Sequence, residues 1–206
     1  MTRGPVEPPP APPADLASRP LPLVDSGRGA RFCRIHRAGH EPIFFSPGPG
    51  KPPAGRFDSA TGRFGVLYAG LGFGCCFAEV LLRNPGRQIV SLPEIEARCF
   101  AVIGLQAPLR LVDLTGPGLS RLGLDARFLS GRYDPCGAWA EALHDHPEQP
   151  AGLLYPSRFD PSGRCVALFE RSAPHLALAS DSLPLGEMLP EVAAALDRYG
   201  KALDAG

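Results

Sequence analysis

Glycine and proline interrupt this chain so often that no long regular element can form in it. Its 206 residues include 24 Gly and 25 Pro. Gly breaks regular structure through backbone entropy, Pro through its missing N–H and fixed φ. From Arg31 onward, short apolar runs alternate with Gly/Pro stops such as "NPG" and "SPGPG". Short strands and short helices are what such a chain can build.

"RFCRIHR" (31–37), "FGVLYAG" (64–70), "RCFAVIGLQ" (98–106), "LRLVDLTG" (109–116) and "CVALFE" (165–170) read as strands. "FGCCFAEVLLRN" (73–84) has apolar Phe73, Cys76, Phe77, Val80 and Leu81 at helical spacing, and a stop at Pro85–Gly86. "GLSRLGL" and "CGAWAEALHDH" are further helix candidates, and "LGEMLPEVAAALDRYGKAL" predicts a C-terminal helix interrupted at Pro190. Strands mixed irregularly with short helices predict an α+β domain, with a mixed or antiparallel sheet core and flanking short helices, rather than a doubly wound sheet.

Residues 1–20 are dominated by Pro and Ala and predict a flexible or polyproline-like tail. Residues 21–206 have no second linker and no repeat, and predict one domain. Within it, "EPIFFSPGPGKPPAGRFDSATG" (41–62) is a loop long enough to suggest a functional role. The 21 Lys+Arg balance the 21 Asp+Glu, which argues against a broad electrostatic surface for nucleic acid or anionic membrane. No run reaches the roughly 18 apolar residues of a membrane span. With no apolar signal segment, the expected location is the cytoplasm. The six Cys have no CxxC spacing, and two are adjacent. They read as small buried hydrophobes rather than metal ligands or a disulfide framework.

Three polar residues stand out by position. Arg56 closes the long loop. Glu79 lies within an apolar helix, where a partly buried carboxylate needs a partner, naturally an Arg. Ser157 stands in "AGLLYPSRFDPSGRCVALFE", whose second half reads as a core strand and whose first half reads as a polar cluster at a sheet edge. Singly, each has an ordinary alternative: a surface Arg, an exposed Glu beside Arg83, a turn Ser. Tyr68 and Tyr155 could be strand aromatics, and Arg34 a strand-edge charge.

"YPSRF" lacks the glycines of a GxSxG elbow, and "GLGFG" (70–74) lacks the full dinucleotide fingerprint. "HDH" (144–146) fits a helix end better than a metal site.

Taken in order, "GRFD" (55–58), "GVLYAG" (65–70), "CFAEVLLR" (76–83) and "GLLYPSRFD" (152–160), with "FCRIHR" at the start, resemble the RES domain family. The resemblance covers about residues 31–172. Arg56, Glu79 and Ser157 fall on the Arg, Glu and Ser that give the family its name. Such a resemblance implies a bacterial toxin paired with an Xre-type helix-turn-helix antitoxin, and a fold similar to ADP-ribosyltransferases. It also implies loss of NAD through phosphorolysis or hydrolysis of the nicotinamide–ribose bond.

NAD would then be substrate rather than cofactor, inorganic phosphate a co-substrate if the reaction is phosphorolysis, and no metal would be needed. Glu79 would be the catalytic carboxylate and Arg56, with Arg34, an anion clamp. Tyr68, Ser157 and Tyr155 would line the pocket, with Tyr68 offering a stacking face. The alternatives are ADP-ribosyl transfer to a macromolecule, and a catalytically silent antitoxin-binding protein. Homo-oligomerisation stays open. Ile35 stands where some relatives carry an aromatic.

Overall fold

The computed structural model describes residues 9–47, 50–130 and 133–204. The first eight residues of the expected tail and part of "SPGPG" lie outside them. Among the described residues, nine strands form one sheet: β1 (Leu23–Ser26), β2 (Arg31–Arg37), β3 (Val66–Gly70), β5 (Arg98–Leu105), β6 (Leu109–Asp113), β7 (Gly152–Pro156), β8 (Arg164–Phe169), β9 (Leu176–Leu178) and β10 (Leu183–Pro184). Their order is β1-β6-β7-β8-β3-β2-β5-β10, with β9 also on β5. Within this sheet only β6 and β7 run parallel. A separate parallel pair joins β4 (Ile89–Ser91) to β11 (Ala202–Asp204). The architecture is the expected mixed-sheet α+β domain.

One expectation about "AGLLYPSRFD" fails. The polar turn begins at Ser157: Tyr155 and Pro156 belong not to the polar cluster but to β7, which fills the gap between β6 and β8. Gly152 permits this, because a Cβ there would overlap the Ala167 carbonyl.

Short helices cover the sheet: α1 (Phe73–Leu81), α2 (Leu92–Glu96), α3 (Pro117–Arg121), α4 (Ala126–Ser130), α5 (Asp134–His144) and α6 (Leu189–Arg198). α1 follows β3 through a tight turn that Gly70 makes possible: a Cβ on it would stand 2.7 Å from Cys76 Sγ. A Ser91–Glu94 capping box starts α2. α5 packs Trp139, Ala140 and Leu143 among Val66, Ala167 and Phe169 of the sheet. Pro190 does not interrupt the C-terminal helix but sits in the first turn of α6, where an N–H has no intrahelical partner to lose. Among the described residues, no helix is long and apolar enough to cross a membrane.

The tail also differs from expectation. From Pro9 on it lies against the domain rather than free. Trp139 Nε1 donates to the Pro10 carbonyl (2.8 Å), and the backbone N–H of Leu21 donates to Glu148 (2.8 Å). Leu16 and Leu21 are buried in the α5 core. Two leucines supply the apolar burial that the prolines lack, and proline carbonyls remain free to accept bonds.

The feature that makes a site is a fork in the sheet. β2 pairs fully with β5 on one flank, and β3 with β8 on the other. Between β2 and β3 the register has a single pair, Cys33↔Gly70. Past that pair the strands diverge, and a cavity opens between Arg34–Ile35 and Tyr68–Ala69. The Cys76 thiol donates to the Cys33 carbonyl at the apex (2.8 Å), capping one backbone group there.

Candidate active site

The cavity has two walls beyond the fork. One is the end of the long loop, "AGRFD". Asp58, only 2% exposed, turns this segment around its own carboxylate. Its Oδ2 accepts from the N–H groups of Ala54 (2.8 Å) and Gly55 (2.6 Å), and its Oδ1 from the Tyr68 hydroxyl (2.8 Å). That hydroxyl in turn accepts from Phe57 N–H (2.8 Å). Arg56, held between these contacts, is buried, and its Nη1 donates to the Phe128 carbonyl (3.2 Å). Its guanidinium lies over the Tyr133 ring, 4.5 Å from the centroid.

The other wall joins α1 to the turn after β7. Ser157 is buried, and its hydroxyl donates to Glu79 Oε1 (2.7 Å) while accepting from the N–H groups of Phe159 (3.1 Å) and Asp160 (3.0 Å). Arg158 N–H donates to the same Oε1 (2.9 Å). Among the described residues nothing bonds Glu79 Oε2, and the side chain lines the cavity. The turn is fixed from below: the Ser157 N–H donates to Gly163 O (3.1 Å), and Tyr199 donates to Asp160 Oδ2 (2.8 Å).

The expected arginine partner of Glu79 is therefore replaced by a serine hydroxyl and a backbone N–H. Arg83 instead donates to the Glu79 carbonyl (2.7 Å).

Of the six expected site residues, Arg34, Arg56, Tyr68, Glu79 and Tyr155 line the cavity. Ser157 does not; it stands behind Glu79. Tyr155 is nearly buried, edge-on to Phe57 at 4.9 Å. Burial pushes the Tyr68 and Tyr155 phenols well above their usual range, so both stay neutral.

Arg34 Nη1 is buried with no hydrogen-bond partner among the described residues. Burial lowers its pKa to about 10, so it remains charged at neutral pH. A buried donor left unmade costs about 1–3 kcal/mol, which an anion in the cavity would recover.

Sequence reasoning did not assign Arg83, Arg158 or Tyr133 to the site, yet all three line the cavity. Arg83 is one helical turn past Glu79 and Arg158 adjoins Ser157, so both were legible as neighbours of motif residues. Tyr133 had no local signal. Among the described residues, four guanidiniums (Arg34, Arg56, Arg83, Arg158) and one carboxylate surround the cavity. A chain with no net charge thus concentrates positive charge where an anion can reach it.

The cysteines are free, four of them buried. Cys75 and Cys165 touch at 3.1 Å beneath the cavity. In "HDH", His144 stacks on Phe64 at 4.0 Å, and His146 Nε2 lies 3.2 Å from the Leu16 carbonyl and 3.1 Å from that of Arg19. Both rings have structural contacts, and among the described residues no group of three or more His, Cys, Asp or Glu could hold a metal ion.

The RES domain family model matches residues 31–189, beginning where the sequence motifs begin and running on into α6. A curated relative, "Probable toxin y4kH" of Sinorhizobium fredii, is 31% identical over 122 residues, which are 59% of this chain and 94% of the relative. The solved M. tuberculosis MbcT–MbcA toxin–antitoxin complex contains a chain that matches with a TM-score of 0.64 and 20% identity. The match covers 82% of this chain and 92% of that one. At that identity the likeness speaks for the fold. With the family model spanning most of the molecule, the chain belongs to the RES domain family.

Proposed function

We propose that this protein is the toxin of a toxin–antitoxin pair and that it acts by cleaving the nicotinamide–ribose bond of NAD. The observation that carries the reading is Glu79: a carboxylate with one oxygen fixed by Ser157 and Arg158 N–H, and the other facing a cavity ringed by four arginines. That combination suits a substrate that is an anion at one end and becomes a cation at the other.

Cleavage breaks the bond between C1′ and the nicotinamide nitrogen, and positive charge develops on the ribose as neutral nicotinamide leaves. Glu79 stabilises that charge through its free oxygen; because the other is already bonded, little reorganisation is needed. Arg34 and Arg56 hold the pyrophosphate, and Arg83 and Arg158 at the rim can hold an incoming phosphate. A phosphate or water oxygen then bonds to C1′, giving phosphorylated or free ADP-ribose.

Ser157 is a positioning residue in this scheme. Its O–H donates a hydrogen bond to Glu79 and its oxygen already accepts two N–H bonds, so it is not available as a nucleophile. Family membership supports a cytoplasmic setting and a helix-turn-helix antitoxin of the Xre type as partner.

The test is nicotinamide release from NAD by the purified chain, freed of any antitoxin, with and without inorganic phosphate. Release that requires phosphate identifies a phosphorylase; release in both buffers, with free ADP-ribose, identifies a glycohydrolase. No release from folded protein overturns the reading and favours ADP-ribosyl transfer or antitoxin binding alone.

A further inference from the structure

The Pro/Gly-rich loop that delivers Arg56 has no sheet ladder through its last residues, yet its backbone there is tied at nearly every N–H. Ala54 and Gly55 donate to Asp58, Phe57 donates to Tyr68, and Tyr68 donates back to Asp58. Asp58 is almost fully buried, and among the described residues no Lys, Arg or His side chain forms an ion pair with it. Three donors, two backbone and one phenolic, compensate its charge. The phenol end of Tyr68 packs against Gly55: a Cβ on Gly55 would stand 2.5 Å from Cε2, Cζ and the hydroxyl oxygen of Tyr68. The Arg56 side chain takes no part in this circuit and lines the cavity.

We propose that Asp58 is a positioning residue of the cleft, which with Tyr68 and Gly55 locks residues 54–58 in the shape that presents Arg56 to an anionic ligand. Tyr68 serves less as a stacking platform than as a strut: its hydroxyl is spent on the loop, and Gly55 packs against its ring. The strut rises from β3, so the loop is referenced to the same strand that forms one arm of the fork. The inference rests on the reading of the cleft as a dinucleotide site, with Arg56 as an anion clamp.

Two measurements on the full chain test it, with Asp58→Asn, Tyr68→Phe and Gly55→Ala as variants. Gly55→Ala disturbs the lock without touching a charge and serves if the Asp58 variant does not fold. The first is amide hydrogen exchange. In each variant the amides of Ala54, Gly55 and Phe57 should lose protection, while those of β3 and β8 keep it. Unchanged protection at all three amides overturns the lock.

The second is binding of ADP-ribose by calorimetry, together with NAD turnover. Asp58→Asn should weaken ADP-ribose binding and raise KM about tenfold with little change in kcat. In an Arg56→Ala background the same substitution should add nothing further. A full tenfold effect in that background overturns the inference, because Asp58 would then act by another route. A wild-type chain that binds no ADP-ribose sinks the dinucleotide reading instead, and the exchange pattern still decides the lock.

Discussion

The two walls of the cleft are each organised by a carboxylate, and the two carboxylates are used in opposite ways. On the loop wall, Asp58 has both oxygens committed to its own chain and almost no exposure. On the helix wall, Glu79 has one oxygen committed and one with no bond among the described residues, on a side chain that lines the cavity. A saturated carboxylate shapes the backbone around it. A half-saturated one is held in place yet still has a lone pair to offer, which is what stabilising a developing cation requires. Charge and burial alone would rank the two in the wrong order; the count of satisfied oxygens ranks them correctly.

The largest effect should come from Glu79→Gln. It keeps the Ser157 contact in shape but removes the charge, so NAD cleavage should fall at least about a hundredfold. The melting temperature should hold, since the glutamine Oε1 can still accept from the Ser157 hydroxyl and the Arg158 N–H. A loss of stability comparable to that of Asp58→Asn would erase the contrast between the walls.

Ser157→Ala comes next. It orphans the N–H groups of Phe159 and Asp160 and frees Glu79 Oε1 from its hydroxyl donor. We expect stability to fall by about 1–2 kcal/mol in denaturant titration and kcat to fall about tenfold with KM nearly unchanged. A change confined to KM would mean that Ser157 touches the ligand after all.

The smallest effect concerns acid. Burial holds the imidazoles of His36 and His144 below the usual 6.5, and the charge of Arg34 adds to the effect at His36. Unfolded histidines take up protons near 6.5, whereas the folded ones wait until lower pH. Their stability contribution is therefore complete above 6.5 and drains away as pH falls through the folded values. The slope is bounded at about 1.4 kcal/mol per pH unit for each proton. Melting curves between about pH 8 and about pH 5 should show it, and His36→Asn should flatten it in part. Because His36 stands beyond Arg34 on β2, this would sharpen the comparison by separating acid sensitivity of the fork from that of the catalytic wall.

Much of this was legible in the sequence, and what was not shares a physical cause. "RFCRIHR", "VLYAG" and "CVALF" announced their strands because apolar and β-branched runs ended at clear stops. Arg56, Glu79 and Ser157 were legible as words in an ordered set of motifs. What the words did not reveal was the bond between two of them, since Ser157 and Glu79 are brought together only by the turn after β7 and the packing of α1. The same holds for Tyr133, whose place under Arg56 depends on the path from α4 to α5. "GLLYP" was misread because its tyrosine and proline mask a strand buried between neighbours. Residues 9–20 were misread because composition weighs prolines and does not see that Trp139 needs an acceptor.

The fork itself has a mechanical consequence. Full ladders bind β2 to β5 and β3 to β8, while one residue pair joins the two halves. The sheet therefore behaves less like a plate than like two leaves of a book, stitched at Cys33 and Gly70 and gripped along their outer margins. Whatever fills the space between the leaves becomes part of the binding, and its presence is felt along both.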